Sequence, residues 1–413
     1  MIRRMERIRI SAPQRVEAAI SLPASKSICN RALVINALAG KRGGLHNLSD
    51  CDDTSVMVAA LHDMPYTIDI MAAGTAMRFL TSYLAVTPGE HLITGTERMC
   101  QRPIKILVEA LRQLGANVDY AGEEGFPPLK INGRPLEGGK ISLPGNVSSQ
   151  YISSLLMIGP ILQRGLQLEL EGSVVSRPYI NMTLQLMDGF GADARWTSEN
   201  GIEVSPKAYL TKEYVIENDW SAASYWYEIV ALAPQAEVVL PGLFDCSMQG
   251  DSAVARLFEQ LGVSTTYVDD RVHLQKTDMC VERMEYDFVN QPDLAQTFVV
   301  TCALLNVPFR FTGLQSLKIK ETDRIAALIA EMKKLGYVIT ESEGSILEWN
   351  GEKMAVDVPP VIDTYEDHRM AMAFAPAAFC VDGLCINHPK VVSKSYPGYW
   401  NDLREAGFVI EEE

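Results

Sequence analysis

One pattern of apolar and polar positions recurs along the chain. A run with apolar residues at i, i+3 and i+4 closes on an apolar residue and a glycine, and a segment of alternating apolar and polar residues follows. This pattern predicts a helix that ends at a left-handed glycine and is followed by a β-strand. It occurs in segments 109–120, 184–196, 255–268, 329–342 and 403–413.

The glycines that end these predicted helices are evenly spaced, at intervals of 71 to 76 residues. They are Gly115, Gly191, Gly262, Gly336 and Gly407. A weaker sixth copy, residues 56–70, lacks the glycine and ends its helix near Met64, so the first repeat is about twenty residues short. We therefore expect six similar α/β repeats, three in each of two domains. The alternative is that helix, glycine and strand recur only because they form the commonest α/β junction.

Length and charge limit the possible functions. The chain has 413 residues, more than one hydrophobic core usually serves, so two domains are expected. Its 37 basic and 52 acidic residues give a net charge of −15, which argues against non-specific binding to nucleic acid or to anionic membranes. An anionic ligand would therefore need a local cluster of cations.

Cysteine usage and targeting signals indicate the compartment. None of the eight cysteines forms a C-x-x-C pair or stands beside histidines at metal-ligand spacing, which predicts reduced thiols and no metal site. The N-terminus lacks the apolar run of a signal peptide, and no segment approaches the roughly 20 apolar residues of a membrane span. We therefore expect a soluble, cytoplasmic protein.

The segment LPASKSICNRAL (22–33) places two cations at the start of a predicted helix. Ser25 or Ser27 can cap this helix, but capping does not explain Lys26 and Arg31, because the helix dipole disfavours cations there. A solvated helix face is the alternative. An anionic ligand at the helix N-terminus explains the two cations better.

Other predicted helix starts carry similar side chains. For each, an ordinary structural role is the alternative: an N-cap for the serines and Asp293, and a solvated face or surface ion pair for the cations. If these starts converge on one cleft, they form a positive site suited to small, multiply anionic substrates. The candidates are Gly74, Arg102, Ser148, Ser149, Gln150, Asp293, Lys320, Glu321, Arg324, Arg369 and Lys394.

Taken together, these segments resemble the 5-enolpyruvylshikimate-3-phosphate synthase (EPSP synthase) family. The similarity runs from LPASKS to KSYP, over nearly the whole chain. Ten motifs stand in the family's order, and although each alone is weak, the ordered set is very specific. They are LPASKSICNRAL, AGTAMR, RMCQRP, VSSQ, SRPY, DWSAASY, SMQGD, KETDR, DHRMAM and KSYP.

The resemblance implies an α/β fold of two similar domains, each with three βαββαβ-like units arranged as an inside-out α/β barrel. The active site is expected in the interdomain cleft. We expect an N-terminal domain of residues 21–216. Residues 1–20 and 217–413 are expected to form the C-terminal domain, which includes the N-terminal strand.

The resemblance also implies which residues bind the substrates shikimate 3-phosphate and phosphoenolpyruvate. The expected contacts to shikimate 3-phosphate are Lys26, Ser27, Arg31, Ser148, Ser149, Gln150, Ser176, Asp293, Ser316 and Lys320. The expected contacts to phosphoenolpyruvate are Lys26, Gly74, Arg102, Gln150, Arg324, Arg369 and Lys394.

The implied reaction is an addition followed by an elimination. The 5-hydroxyl of shikimate 3-phosphate attacks C2 of phosphoenolpyruvate while C3 is protonated; phosphate then leaves and C3 loses a proton. Asp293 is the expected base for the hydroxyl, and Glu321 the expected acid and base at C3, assisted by Lys26 or Lys394. Cations would stabilise the carboxylate and the leaving phosphate, so no metal or organic cofactor is expected, and the protein is expected to act as a monomer.

The chain departs from the family's pattern at three places. Ala72 and Phe79 replace the Asn and Pro that flank Ala-Gly-Thr-Ala-Met-Arg, beside the expected phosphoenolpyruvate pocket. Ser316 replaces an Asn upstream of KETDR, which is expected to weaken one substrate contact. The third departure is the short first repeat, in which the strand pair between residues 64 and 72 is expected to be truncated.

Two other functions compete with this interpretation. The sister family transfers enolpyruvyl to UDP-N-acetylglucosamine and carries a catalytic cysteine five residues before the RP arginine. This chain has Glu97 there, and Cys100 lies only two residues before Arg102. The other alternative is a catalytically impaired homologue that acts as a binding protein or as a component of a complex.

Overall fold

A computed structural model describes residues 6–40, 44–356 and 360–413. The chain divides into two compact lobes: the N-terminal lobe, Ala24–Ile216, and the C-terminal lobe, Met1–Pro23 with Glu217–Glu413. The sequence analysis placed the first boundary at residue 20. Residues 21–23 fall in the C-terminal lobe, where the carbonyl of Pro23 accepts a hydrogen bond from the backbone N–H of Asp219 at 2.9 Å.

Most strands are short, with three to seven residues in all but a few. In chain order they are β1 (Arg7–Ser11), β2 (Arg15–Ala19), β3 (Leu45–His46), β4 (Thr67–Asp69), β5 (Gly89–Thr94), β6 (Asn117–Tyr120), β7 (Leu129–Gly133), β8 (Gly139–Pro144), β9 (Leu166–Glu171), β10 (Ala194–Trp196), β11 (Gly201–Val204), β12 (Tyr214–Val215), β13 (Gln235–Pro241), β14 (Val263–Val268), β15 (Arg271–Lys276), β16 (Met284–Asp287), β17 (Phe309–Thr312), β18 (Thr340–Ser342), β19 (Ile346–Trp349), β20 (Val361–Ile362), β21 (Leu384–Asn387) and β22 (Val409–Glu412).

The helices alternate with these strands. They are α1 (Lys26–Leu38), α2 (Asp52–Asp63), α3 (Gly74–Val86), α4 (Glu97–Cys100), α5 (Lys105–Gln113), α6 (Ser149–Ile158), α7 (Arg177–Gly189), α8 (Trp220–Leu232), α9 (Val254–Glu259), α10 (Ala295–Leu304), α11 (Arg324–Lys334), α12 (His368–Phe374) and α13 (Tyr399–Glu405). Within the described residues, no helix is both long and apolar enough to cross a membrane.

Five four-stranded sheets share one topology. In the sheet β4-β5-β7-β6, the first two strands are parallel, and the hairpin β6–β7 adds antiparallel to β5. The same order occurs in β8-β9-β11-β10, β2-β13-β15-β14, β16-β17-β19-β18 and β20-β21-β1-β22. The predicted two-lobed, repeated α/β fold is therefore confirmed. The order of elements within a repeat differs from the expected βαββαβ. It is β-α-β-α-β-β, so one strand lies between the two helices, whereas βαββαβ has two strands there.

The first repeat lacks the hairpin. Among the described residues, its sheet contains only β12 and β3, which pair in parallel. Helix α2 leads directly into β4, whose residues Thr67–Asp69 pair in parallel with β5 and so begin the second sheet. The prediction that the first repeat is short is confirmed. The strand expected after this helix is present as β4, but it belongs to the next sheet, because the chain passes there without an intervening strand pair.

Strand β1 completes a sheet formed mainly by the far end of the chain. It lies between β21 and β22 and is antiparallel to both. Strand β2 likewise supplies the first strand of the sheet that contains β13. Both N-terminal strands therefore belong to the C-terminal lobe, as the resemblance implied for the first strand region.

In each lobe, three helices pack on one another at the centre. These are α1, α3 and α6 in the N-terminal lobe, and α8, α10 and α12 in the C-terminal lobe. Helices α3, α6, α8, α10 and α12 are buried over most or all of their length. A helix buried on every side offers polar groups mainly at its ends, so chemistry carried by these helices is concentrated at their starts.

The helix ends match the sequence pattern closely. The five predicted glycines have φ angles between +82° and +97°. Helix α2 ends at Met64, which adopts the same left-handed conformation with φ +43°. A side chain with a Cβ atom is disfavoured there, and glycine is the residue that adopts it readily.

Replacing Met64 by glycine is therefore expected to raise the free energy of unfolding by about 0.5–1 kcal/mol in urea denaturation. Gly115→Ala is the matched control of opposite sign, expected to lower it by about 1 kcal/mol. No atom lies within 4 Å of the position of an added Cβ at Gly115, so only backbone conformation changes there. Two unchanged stabilities would contradict the assignment.

Candidate active site

Helix α1 begins with a lysine that lies beside a buried acid. The hydroxyl of Ser25 caps the helix by accepting from the backbone N–H of Ile28. The Nζ atom of Lys26 lies 3.2 Å from Oδ2 of Asp53, a nearly buried residue in the first turn of α2. Lys26 was expected at this site and Asp53 was not, because an acid in the first turn of a helix is favoured by the helix dipole and does not by itself indicate function. The start of α2 thus supplies a counter-charge to the start of α1.

Arg31 is buried among neutral groups. Its Nε donates to Oγ1 of Thr183 at 2.7 Å, Nη2 donates to Oγ of Ser153 at 3.2 Å, and Nη1 donates to the carbonyl of Ser27 at 2.9 Å. Its guanidinium also lies 5.2 Å from the centre of the Phe79 ring. Burial lowers the pKa of Arg31 to about 10. A buried cation with neutral partners is unfavourable by itself, and an anionic ligand nearby would stabilise it.

Phe79 packs against the guanidinium of Arg31. The sequence analysis placed it beside the phosphoenolpyruvate pocket. Its ring is fully buried and faces Arg31. Arg31 is an expected contact to shikimate 3-phosphate. The phenylalanine that stands here in place of the family's proline therefore packs against a residue expected to bind that substrate.

Two arginines lie close to the start of α3. The Nη1 atom of Arg78 donates to the carbonyl of Gly74 at 2.8 Å. A Cβ atom at position 74 would lie 2.7 Å from Nη1 of Arg102 and 2.8 Å from Nη1 of Arg78. No acidic residue occupies the first turn, and Ala73 provides no side-chain cap. A helix start that lacks a side-chain cap from its N-cap residue and lies beside two guanidiniums suits an anion.

Hydroxyl groups mark the starts of α6 and α7. Ser148 caps α6 by accepting from the backbone N–H of Gln150, whereas Ser149 is already the first helical residue. The side chain of Gln150 donates to Oγ1 of Thr75 at 3.0 Å, which joins the starts of α6 and α3. Ser176 precedes α7 with φ +53° and makes no capping bond through its side chain. Capping therefore accounts for Ser148 but not for Ser149 or Ser176.

In the C-terminal lobe, Asp293 is surrounded by cations. Its Oδ1 lies 3.2 Å from Nη1 of Arg324 and 3.6 Å from Nζ of Lys320. Its Oδ2 lies 2.8 Å from Nη2 of Arg369. Burial lowers the pKa of Lys320, and the charge of Asp293 opposes that shift. Asp293, which precedes α10, thus contacts residues at the starts of α11 and α12.

Glu321 belongs to the same network. Its Oε2 lies 2.9 Å from Nη2 of Arg324, and its Oε1 lies 2.9 Å from Nζ of Lys394. Arg324 therefore contacts both Asp293 and Glu321. Ser316 lies in the short helical turn Gln315–Ile319 that precedes these residues, and it is half-buried.

Asp367 is a central residue that the sequence analysis missed. It is fully buried, and its Oδ2 accepts from Nε of Arg324 at 2.7 Å. Its Oδ1 caps α12 by accepting from the backbone N–H of Arg369 at 2.9 Å. Burial by itself would lower the pKa of Arg324, but the charges of Asp367, Glu321 and Asp293 together raise it. The sequence did offer a signal for Asp367, because this acid directly precedes the helix predicted to start at His368 and Arg369.

Asp251 is a second missed acid, although it lies in the SMQGD motif. It is nearly buried, and it accepts a very short hydrogen bond from the hydroxyl of Ser221 in the first turn of α8. Burial, followed by the negative charge of Asp293, raises the pKa of Asp251 to about 7, although Ser221 and Arg369 oppose the shift. Asp293, the candidate base, therefore lies near enough to Asp251 to raise its pKa.

Comparison with known proteins connects this geometry to a family. The family model described as EPSP synthase (3-phosphoshikimate 1-carboxyvinyltransferase) matches residues 10–69 and 63–403. A relative from Bacteroides fragilis, named 3-phosphoshikimate 1-carboxyvinyltransferase, is 64% identical over 97% of this chain and 98% of its own length. The chain belongs to the EPSP synthase family. The two matched ranges of the family model meet at residues 63–69, where the first repeat lacks its hairpin.

More distant members of the EPSP synthase family also match over nearly full length. A 3-phosphoshikimate 1-carboxyvinyltransferase from Shewanella halifaxensis is 34% identical over 97% of this chain and 99% of its own. A solved EPSP synthase from Acinetobacter baumannii superposes with a TM-score of 0.79 at 21% identity, covering 99% of this chain and 100% of that one. The last comparison shows that the fold is shared.

The raised pKa of Asp251 predicts a pH-dependent stability. The unfolded carboxyl titrates near 3.8, so between pH 3.8 and about 7 the folded protein holds one proton more, and this contribution to stability is lost as the pH rises. In urea denaturation, the free energy of unfolding of Asp251→Asn relative to wild type is expected to increase by roughly 2–4 kcal/mol between pH 4.5 and 7.5. A difference that stays constant over this range would contradict the shift.

Proposed function

We propose that this chain transfers the enolpyruvyl group of phosphoenolpyruvate to the 5-hydroxyl of shikimate 3-phosphate by addition and elimination, releasing phosphate. This is the 3-phosphoshikimate 1-carboxyvinyltransferase reaction of its family, in aromatic amino-acid biosynthesis. The observation that carries the proposal is the network in which Asp293 and Glu321 contact the same guanidinium, that of Arg324. A candidate base and a candidate acid thus contact one buried arginine, which supports the proposal.

We propose that the N-terminal lobe binds shikimate 3-phosphate through the starts of α1, α6 and α7. The hydroxyls of Ser148, Ser149 and Ser176, together with backbone N–H groups, would donate hydrogen bonds to the 3-phosphate. Lys26, Ser27, Arg31 and Gln150 would contact the remaining groups of the substrate. The buried charge of Arg31, which has neutral hydrogen-bond partners, supports an anionic ligand near this residue.

We propose that phosphoenolpyruvate binds through guanidinium and ammonium groups of both lobes. In the N-terminal lobe these are Arg102 beside Gly74, with Lys26 and Gln150. In the C-terminal lobe they are Arg324, Arg369 and Lys394. Arginine suits this role because its planar fork binds a carboxylate or phosphate through two parallel hydrogen bonds.

In the proposed mechanism, Asp293 accepts the proton of the 5-hydroxyl as the oxygen attacks C2 of phosphoenolpyruvate. Glu321 donates a proton to C3, which gives a tetrahedral adduct. The bond from C2 to the phosphate oxygen then breaks, and Glu321 takes a proton back from C3. Lys394 lies 2.9 Å from Glu321 and would stabilise its carboxylate after the first proton transfer. The surrounding cations would stabilise the leaving phosphate.

The remaining expectations are part of the same proposal. We propose that the protein acts in the cytoplasm as a monomer, binds neither nucleic acid nor membranes, and uses no metal or organic cofactor. Lys320 and Ser316 would complete the contacts to the shikimate ring. Nothing in the comparisons favours the alternative of a catalytically impaired homologue, and each expected catalytic group is present: Lys26, Asp293 and Glu321.

Conservative removal of either proposed proton-transfer group is expected to stop turnover. With both substrates present, Asp293→Asn and Glu321→Gln should each lower kcat by at least about a hundredfold, as measured by release of inorganic phosphate. Asp382→Asn and Glu285→Gln, at exposed positions of the same lobe, are the matched controls and should keep wild-type rates. A wild type that releases no phosphate would favour the impaired homologue, and active Asp293 and Glu321 variants would reject the assigned roles.

A further inference from the structure

A buried carboxylate lies two turns along α11 from Arg324. Glu331 is fully buried, and it accepts hydrogen bonds from the hydroxyl of Tyr365 at 2.6 Å and from the backbone N–H of Asp363 at 3.0 Å. It also forms an ion pair of 2.8 Å with Lys334. Glu331 thus links α11 to the segment that precedes α12, at a distance from the proposed reacting groups.

That segment contains two consecutive residues in the left-handed conformation. Tyr365 has φ +53° and Glu366 has φ +56°. Neither residue is a glycine, so both conformations are unfavourable for the isolated chain and persist only where the surroundings determine them. Both side chains are exposed over much of their surface, so burial does not account for the conformation. The hydrogen bond from Tyr365 to Glu331 is the contact that fixes the middle of the turn.

The residues that follow this turn belong to the proposed active site. The backbone N–H of Asp367 donates to the carbonyl of Thr364 at 2.8 Å, which closes the turn. Asp367 then binds Arg324 at the first residue of α11, and Arg369 contacts Asp293. Helix α11 therefore contacts the segment twice, through Arg324 at its start and through Glu331 two turns later.

The start of the turn is fixed separately from its middle. Oδ2 of Asp363 accepts from Nζ of Lys334 at 2.8 Å, and Oδ1 of Asp363 accepts from Nδ2 of Asn387 at 2.6 Å. Loss of the Tyr365 hydroxyl would leave these bonds in place. The turn would then be anchored at Asp363 but free to relax its two left-handed residues, which would shift Asp367 and Arg369.

We propose that Tyr365 and Glu331 are positioning residues, whose hydrogen bond holds the strained turn so that Asp367 and Arg369 meet Arg324 and Asp293 in register. The inference rests on the proposed function, since it assigns Arg324 and Arg369 to phosphoenolpyruvate. Neither Tyr365 nor Glu331 contacts substrate. They act through Asp367 and Arg369, which lie within four residues of the turn.

The first test is Tyr365→Phe, which removes only the hydroxyl. We expect kcat/KM for phosphoenolpyruvate to fall roughly tenfold, because a hydrogen bond to a charged, buried group is lost. KM for shikimate 3-phosphate should stay within about twofold, since the groups proposed to hold its phosphate lie in the N-terminal lobe. Tyr227→Phe is the matched control: its hydroxyl bonds to Oγ1 of Thr265 at 3.1 Å in the same lobe, and it should leave both constants unchanged.

The second test is rescue by a glycine. In the Tyr365→Phe background, Glu366→Gly should recover about half or more of the lost kcat/KM, because glycine adopts φ +56° without the Cβ penalty. Hydrogen exchange of the backbone N–H of Arg369 provides a readout that needs no turnover; it should quicken in Tyr365→Phe and slow again in the double variant.

The outcomes separate the two proposals. An inactive wild type would reject the proposed function, while the exchange experiment would still test the turn. An active wild type with unchanged kinetics and exchange in Tyr365→Phe would overturn the positioning role. Loss of activity without any recovery by Glu366→Gly would also overturn it, because the hydroxyl would then act by some means other than holding the left-handed turn.

Discussion

Cations at the starts of helices are the constraint on which the rest of this structure depends. The helix dipole and the free N–H groups disfavour positive charge there, yet α1, α3, α11 and α12 all carry it within their first two turns. The two lobes compensate differently. In the C-terminal lobe, Arg324 is balanced by buried carboxylates, among them Asp367. In the N-terminal lobe, Arg31 has neutral hydroxyl and carbonyl partners, so an anionic substrate would stabilise its charge.

The repeated architecture explains why these charges occur at helix starts. Five sheets follow one strand order, and three helices at the centre of each lobe are enclosed by their neighbours. Side chains along such helices are mostly apolar, with exceptions such as the fully buried Glu228 in α8, so most of their charged groups lie near their starts. The first repeat keeps both helices without its hairpin.

Much of this arrangement could be predicted from the sequence. The glycines that end five helices, Met64 at the end of the sixth, and the six repeats could be predicted from periodicity. Local sequence encodes this periodicity directly. Sheet membership did not follow for residues 66–70, because pairing is decided by distant strands. Asp251 and Asp367 were missed because an acid at a helix start is usually an N-cap. Asp367 is also a cap here, and only tertiary contacts show that it binds Arg324 as well.

The central claim is that guanidinium groups at helix starts bind the anionic groups of phosphoenolpyruvate, among them that of Arg102 beside Gly74 at the start of α3. Gly74→Ala tests it most directly, since the added Cβ would lie within 2.8 Å of both Arg78 and Arg102 and must displace them. Steady-state kinetics should show KM for phosphoenolpyruvate raised roughly tenfold or more, with KM for shikimate 3-phosphate and the unfolding midpoint little changed. Gly189→Ala, where an added Cβ meets no atom within 4 Å, is the control. An unchanged KM for phosphoenolpyruvate in Gly74→Ala would contradict the account.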